Sequence, residues 1–174
     1  MTDPVPDSPS LTTEHLCAFG AIIAVFARHE ILMVGAISNL LETSAAGVMH
    51  LTAEMPYRAK KDALKALSKA SDLKGHDKER IAWFLGQVHT FNDLRNSIAH
   101  NIWKRGERPG SIKPLSLGVR SGTTKIKGIY PTEPDYTLDE LNAAVENLIR
   151  LQHEFCDYLV SLGLWPLKVP EESK

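Results

Sequence analysis

The segment that most constrains the fold runs from Thr13 to about Glu42, where apolar residues recur at helical spacing among alanines and glycines. The apolar positions fall on most sides of the helix and are Leu16, Phe19, Ile22, Ile23, Phe26, Met33, Ile37, Leu40 and Leu41. A helix that is hydrophobic nearly all round needs packing partners on two sides. One partner is its own bundle, and a second copy of the chain can supply the other. The segment therefore predicts a core helix and a homodimer.

Three further helices are predicted along the chain. One begins with proline in its first turn and covers residues 56–71, and another covers 77–103 with an apolar stripe at spacings of three and four. The last covers 137–162 and opens with a capping box, in which Thr137 and Glu140 satisfy each other's free backbone N–H groups. Four helices with short connections predict an all-α protein, a four-helix bundle with largely antiparallel neighbours.

Between Gly106 and Pro134 the helical period is lost. Residues 115–120 and 123–130 read as two strands around a Ser-Gly turn, which predicts a β-hairpin inserted before the last helix. Basic side chains concentrate in the overlapping segment from Trp103 to Ile129, where Glu107 is the only acid; they are Lys104, Arg105, Arg108, Lys113, Arg120, Lys125 and Lys127. Such a patch can attract a phosphate backbone or an acidic partner, and a solvated loop explains it equally well.

Length and composition predict one helical domain over residues 13–165, between tails at 1–12 and 166–174. A chain of 174 residues with 43% hydrophobic residues can bury a core without metal or disulfides. Cys17 and Cys156 lie in apolar stretches, which favours buried, reduced thiols and a cytoplasmic location. The first ten residues lack a basic signal region, and charged residues interrupt the longest apolar run before the ~20 residues of a membrane span. We therefore expect a soluble protein that does not associate with membranes.

Arg95 interrupts the apolar stripe of the predicted third helix at a position where Leu or Ile is expected. Local conflicts of this kind tend to mark function. Burial of a guanidinium is costly unless a carboxylate or a phosphate meets it, and Glu30 is the acidic partner that the sequence suggests. The opposite side of the helix carries a polar row at spacings of four, three and four, formed by His89, Asp93, Asn96 and His100.

Arg95 and His100 do not share a face of an ideal helix. Their five-residue spacing separates them by about 140° at ~100° per residue. Joint action on one phosphate therefore requires a distorted helix, an arginine that curls around the helix, or a site shared by two copies.

The segment Arg95-Asn96-Ser97-Ile98-Ala99-His100 resembles the R-N-x-x-A-H motif of HEPN (higher eukaryotes and prokaryotes nucleotide-binding) domains. The resemblance spans roughly residues 14–162. It includes the central acid Glu30, the segment 55–60, Trp103 after the histidine, the polar hairpin and the opening of the last helix. It implies a helical bundle that dimerises so that two copies of the motif face each other in a cleft.

Many members of this family are endoribonucleases that need no metal or other cofactor. The resemblance implies that His100 is the general base or acid acting on the ribose 2′-hydroxyl, that Arg95 holds the scissile phosphate, and that Asn96 orients it. Histidine titrates near neutral pH and a guanidinium binds phosphate bidentately, so these roles are chemically sound. Glu30 and Trp103 would support the site. The cations expected to guide RNA are Lys104, Arg105, Arg108, Arg120, Lys125 and Lys127.

Two functions are compatible with these features. The first is a dimeric ribonuclease of the toxin or phage-defence kind, with RNA as substrate and an antitoxin or regulatory protein as partner. The second is a non-catalytic regulator or binding module, similar to mannitol-repressor proteins, that uses the same cleft for a protein or a nucleotide. A purely architectural reading also stays open, in which Arg95 and Glu30 form a buried pair and His100 lies on the surface.

Overall fold

A computed structural model of the chain describes residues 11–115 and 134–166, which are mostly helical, as predicted for an all-α protein. Six helices and three short strands occur among these residues. In chain order they are α1 Thr13–Leu40, α2 Ala45–Thr52, α3 Tyr57–Ala70, α4 Gly75–His89, α5 Asn92–His100, β1 Ile102–Arg105, β2 Ser111–Leu115, β3 Tyr136–Thr137 and α6 Leu138–Ser161. The helices number more than the four predicted, and the bundle arrangement stays a prediction.

Three predicted helices are confirmed within a few residues by α1, α3 and α6. At the start of α6, the Thr137 backbone N–H donates to Glu140 Oε2 (2.8 Å) and the Glu140 N–H donates to Thr137 Oγ1 (3.2 Å), so the capping box is formed. At its end, Gly163 takes the left-handed conformation with φ 68°, which glycine adopts without steric cost. The short α2 was not predicted. Its N-cap is Ser44, whose hydroxyl accepts from the Gly47 N–H.

The predicted single helix over 77–103 is wrong in its second half. α4 ends at His89, where the Thr90 backbone N–H and hydroxyl both donate to the Gln87 carbonyl and tighten the last turn. α5 then ends at His100, because Asn101 takes an extended conformation. Residues 102–105 form β1 instead, since pairing with β2 satisfies their backbone groups. Helical periodicity could not reveal this change, because it continues through the strand.

The three strands form one antiparallel sheet in the order β1-β2-β3, with Trp103 opposite Pro114 and Ile112 opposite Tyr136. The hairpin in the structure is therefore β1–β2. The predicted hairpin over 115–130 lies, apart from Leu115 in β2, outside the described residues. Gly106 is required at the β1–β2 turn, because a Cβ there would lie 2.1 Å from the Ser111 hydroxyl oxygen.

The described residues form two compact units. The first contains residues 11–23, 91–115 and 134–146, with Phe19, Trp103 and Leu141 among its buried side chains. The second contains residues 24–90 and 147–166, and is built around an aromatic core in which the Phe84 ring lies 5.2 Å from Phe155. The predicted single domain over 13–165 stays a prediction.

Helix α1 is long and apolar enough to cross a membrane by length and composition alone, with a mean hydropathy of 1.7. Half of its most apolar window is buried inside the protein, and a core helix of a soluble protein meets the same description. The predicted soluble, cytoplasmic state is neither confirmed nor contradicted by this helix.

Both cysteines are free thiols, but the prediction that both are buried is wrong for Cys17. Cys17 is exposed on α1, in a shallow groove that it shares with Ala21 and Val145. Its apolar sequence neighbours do not bury it, because successive helical residues point in different directions. Cys156 is half-buried in α6, and burial raises the pKa of its thiol.

Candidate functional site

The exposed side of α5 borders an open cleft of about 620 Å³. The lining residues are Asp93, Asn96, Ser97, His100, Asn101, Pro134 and Tyr136. Three members of the predicted polar row, Asp93, Asn96 and His100, therefore come together in one site. The fourth, His89, is not among the lining residues: it ends α4, and its ring stacks on Tyr57 at 6.2 Å.

Helix α5 presents these side chains because its opposite side is anchored in the first unit by Leu94, which is buried. Asp93 lies in the first turn and His100 in the last turn. Asn96 and His100 are one turn apart, and so are Asp93 and Ser97. The helix thus offers two neighbouring rows of polar groups to the cleft.

The guanidinium of Arg95 is turned toward this polar side. Its Nη1 donates to Asn96 Oδ1 at 3.1 Å, and the side chain is half-buried. Among residues 11–115 and 134–166, this is the one polar contact of the guanidinium, and no carboxylate pairs with it. The Arg95 guanidinium therefore contacts Asn96, one of the residues that line the cleft. The arrangement by which Arg95 and His100 act together stays a prediction.

Glu30 has a different partner from the one that the sequence suggested. Its carboxylate accepts a hydrogen bond from Lys60 Nζ at 2.6 Å, and the two side chains are only 21% and 12% exposed. The predicted pairing of Glu30 with Arg95 is therefore wrong. Sequence alone could not choose between the two cations, because both lie far from Glu30 along the chain. Burial, followed by the Glu30 charge, raises the pKa of the neighbouring Tyr57.

Replacement of Lys60 is expected to destabilise the protein, because it leaves the Glu30 carboxylate half-buried without its cation. We expect Lys60→Ala to lower the free energy of unfolding by about 2 kcal/mol, measured by urea denaturation. The matched control is Arg58→Ala in the same turn of α3, where the pair with Asp62 is exposed and is worth at most about 0.5 kcal/mol. Equal losses for the two variants would show that the Glu30–Lys60 pair contributes no more than a surface pair.

Trp103 is a packing residue. It is only 4% exposed in β1, and its ring lies 4.7 Å from Phe19 and 5.9 Å from Tyr136. It is too buried to serve as a platform on which an RNA base stacks. Because Tyr136 lines the cleft, Trp103 supports the cleft wall from behind.

The basic residues predicted to guide RNA are not equivalent. Arg108 binds Glu140 through both terminal nitrogens, at 2.7 and 2.6 Å, and this pairing helps to lower the pKa of Glu140 to about 2. The same Arg108 also donates to the Asp135 carbonyl, so its charge is used to fix the β1–β2 turn. Lys104 is half-buried and Arg105 exposed on β1. The others, Arg120, Lys125 and Lys127, lie outside the described residues.

Four lining residues were missed by the sequence reasoning, namely Ser97, Asn101, Pro134 and Tyr136. Ser97 and Asn101 continue a row with Asp93 at helical spacing, which is a signal that the sequence contains. Tyr136 has no comparable local signal. It reaches the cleft because β3 pairs with β2, and such long-range pairing is not encoded in residues 134–137 alone.

Protein-family models, curated protein sequences and solved structures were compared with the chain, and none of them matched it. In the part of the chain that the structure describes, no group of three or more His, Cys, Asp or Glu residues could hold a metal ion. The cleft is lined by an imidazole, two amides, a carboxylate, a serine hydroxyl and a tyrosine phenol, and its Asn96 accepts a hydrogen bond from the Arg95 guanidinium. These groups can bind a phosphate and transfer a proton.

Proposed function

We propose that this chain is a HEPN-like endoribonuclease, a helical-bundle protein that cleaves RNA without a metal ion. The observation that carries the proposal is that His100 and Asn96 line one cleft, with the Arg95 guanidinium hydrogen-bonded to Asn96 at 3.1 Å. A proton-transfer group and a phosphate-binding group thus occupy the same surface.

The reaction we propose is transesterification by the ribose 2′-hydroxyl. The imidazole of His100 accepts the proton of the 2′-hydroxyl while the 2′-oxygen forms a bond to phosphorus. The bond from phosphorus to the 5′-oxygen breaks, and the leaving oxygen takes a proton from the imidazolium of a second copy. The products are a 2′,3′-cyclic phosphate and a 5′-hydroxyl, so atoms and charges balance.

Arg95 and Asn96 have complementary parts in this reaction. The guanidinium neutralises the charge that develops on the phosphate oxygens, and such charge-assisted hydrogen bonds are about twice as strong as neutral ones. Because Asn96 Oδ1 accepts from Arg95, its amide N–H groups are directed away from the guanidinium and can donate to a phosphate oxygen. The contact between the two side chains also holds Arg95 on the side of the helix where His100 lies.

The dimer that this mechanism needs is supported by one side of α1. Within the second unit, small and apolar residues at spacings of three and four are all exposed there; they are Ala24, Ala27 and Ile31. Ile31 is 53% exposed. Small residues let a second helix approach closely, and large apolar residues exposed to water favour burial in an interface. When a second copy of the chain covers this side, α1 has the two packing partners that the sequence predicted, namely its own bundle and the second copy.

A charge placed on this side of α1 is expected to abolish the dimer. We expect Ala24→Arg to reduce the mass measured by light scattering at micromolar concentration from that of two chains to that of one, because the guanidinium would be buried without a partner. The control is Ala66→Arg, which adds the same charge at an exposed position of α3. If both variants keep the mass of the dimer, this side of α1 is not the interface.

A non-catalytic nucleotide-binding role for the same cleft is the second candidate. The carboxylate of Asp93 and the aromatic ring of Tyr136 in the same cleft favour it, because these groups suit a base rather than a phosphate. Cleavage of RNA is expected of the ribonuclease and not of the binding role, so it distinguishes the two functions.

The test is incubation of the purified protein with total RNA in excess EDTA. We expect cleavage products that end in a 2′,3′-cyclic phosphate, and no cleavage of the same sequence made with 2′-deoxyribose, which lacks the nucleophile. Intact RNA across several substrate pools would refute the ribonuclease proposal and leave the binding role.

A further inference from the structure

One lining residue of the cleft, Asp93, is not explained by phosphate binding. Its carboxylate is exposed to the cleft that also contains His100 and Asn96. A negative charge repels the phosphate that the neighbouring guanidinium attracts. Within an RNA-binding cleft, a carboxylate therefore needs a hydrogen-bond donor as its ligand, and the donors of RNA are on its bases and 2′-hydroxyls.

The position of Asp93 along α5 fits a base. Asp93 and His100 lie in the first and last turns of the helix, seven residues apart, which is about 10 Å along the axis at 1.5 Å per residue. This length is comparable to the distance from the Watson–Crick edge of a purine nucleotide to its own phosphate. When the phosphate lies at the His100 end, the base therefore reaches the Asp93 end.

The chemistry of a carboxylate selects among the four bases. Guanine offers two adjacent donors, N1–H and N2–H, which match the two oxygens of a carboxylate side by side. Adenine and cytosine place an acceptor nitrogen beside their single donor group, and uracil flanks its N3–H with two carbonyl oxygens. Ser97, one turn from Asp93, adds a hydroxyl that can donate to guanine O6.

Tyr136 provides an aromatic surface in the same cleft. Its ring lies 5.9 Å from the buried Trp103, which fixes its position in the wall. Aromatic side chains bind unpaired bases by stacking, and this contact does not depend on base identity. Stacking would therefore hold a base in the cleft while Asp93 distinguishes which base it is.

We propose that the α5 cleft selects a guanine of an RNA strand, next to the cleaved bond, through a bidentate contact with the Asp93 carboxylate. This inference rests on the proposed function, because it names the nucleotide that the ribonuclease cleft accepts. Asp93 is a specificity-determining residue in this arrangement and has no part in proton transfer.

The test measures binding separately from cleavage. The four nucleoside 3′-monophosphates are titrated into the full chain by calorimetry, with two 2′-O-methylated oligouridines that cannot be cleaved, one of which contains a single guanine. We expect the guanine nucleotide and the guanine-containing strand to bind about tenfold more tightly than their counterparts. Asp93→Asn is expected to remove this preference, because an amide cannot accept two hydrogen bonds from guanine with one oxygen and a donating nitrogen.

The control variant is Glu146→Gln, which makes the same change from carboxylate to amide at an exposed position of α6 outside the lining residues. It should keep the guanine preference. Equal affinity for the four nucleotides, or no binding of any of them, overturns the inference, and so does a guanine preference that survives Asp93→Asn. If the guanine nucleotide binds but the guanine-containing strand does not, the inference that the cleft selects a guanine within RNA is overturned.

The outcomes also separate this inference from the ribonuclease proposal. A guanine preference without cleavage refutes the catalytic function and retains base recognition. Cleavage at all four bases with equal rates retains the catalytic function and refutes the role of Asp93.

Discussion

His100→Ala is expected to lower the rate of RNA cleavage by about 10²–10⁴-fold, the usual contribution of a positioned general base or acid. Arg95→Ala should cause a loss of similar size, because it removes the charge that stabilises the phosphate in the transition state. The rates are measured with a fluorescent RNA strand in EDTA. His100 is exposed, so its truncation leaves the core unchanged, and the melting temperature should stay within about a degree or two of the wild-type value.

The control is His153→Ala, which removes an exposed imidazole from α6 and should leave cleavage unchanged. Arg95→Lys is a more selective probe. It keeps the positive charge but loses the planar fork that can bind two phosphate oxygens, so we expect an intermediate rate. Wild-type activity in His100→Ala would remove His100 from the mechanism, whatever the state of Arg95.

The second large effect is a loss of stability in acid caused by His29. This side chain is only 1% exposed, and its Nε2 lies 3.3 Å from the Leu148 carbonyl oxygen. Burial lowers its pKa from 6.5 to about 4, and the hydrogen bond to the carbonyl opposes this shift only in part. In the folded protein, His29 is therefore neutral over most of the accessible pH range.

The direction of the effect follows from proton binding. Below pH 6.5 the unfolded chain protonates this histidine while the folded chain does not, so each fall in pH favours unfolding. The contribution of neutral His29 is fully present above about pH 7, declines as the pH approaches 4, and does not change further below that value. At 1.36 kcal/mol for each pH unit, the loss is about 3 kcal/mol. Urea denaturation at several pH values between 7.5 and 4 measures it.

Other groups also titrate in this range, so the readout is a difference between proteins. His29→Gln keeps a neutral hydrogen-bond donor on a side chain of similar length. It should flatten the pH dependence of the free energy of unfolding between pH 7 and 4, whatever the stability of the variant at pH 7. His153→Gln, an exposed position, should retain the wild-type slope. If the free energy of unfolding depends on pH in the same way in the wild type and in His29→Gln, His29 does not control stability in acid.

The conflict at Arg95 shows how far the sequence can locate the site. A charged residue in an apolar stripe was visible without a structure, and so was the row that contains Asn96 and His100. Both observations depend only on helical geometry, which spans a few residues. The resemblance to HEPN domains assigned chemistry to these residues, and that assignment stays a prediction. The error lay in the partner of Arg95, because a buried charge reveals that it needs a partner but not which one.

The sequence by itself determined the features that are encoded within one or two helical turns. These are the extent of α1, α3 and α6, the capping box at Thr137, and the polar side of α5. Tertiary structure decided the rest, namely the break between α4 and α5, the change to strand at Ile102, the pairing of Glu30 with Lys60, and the presence of Tyr136 in the cleft. Local backbone preferences are small, and burial and hydrogen bonding between distant segments override them. The cleft therefore depends on both levels, since helical spacing aligned its polar groups and long-range strand pairing brought Tyr136 into its lining.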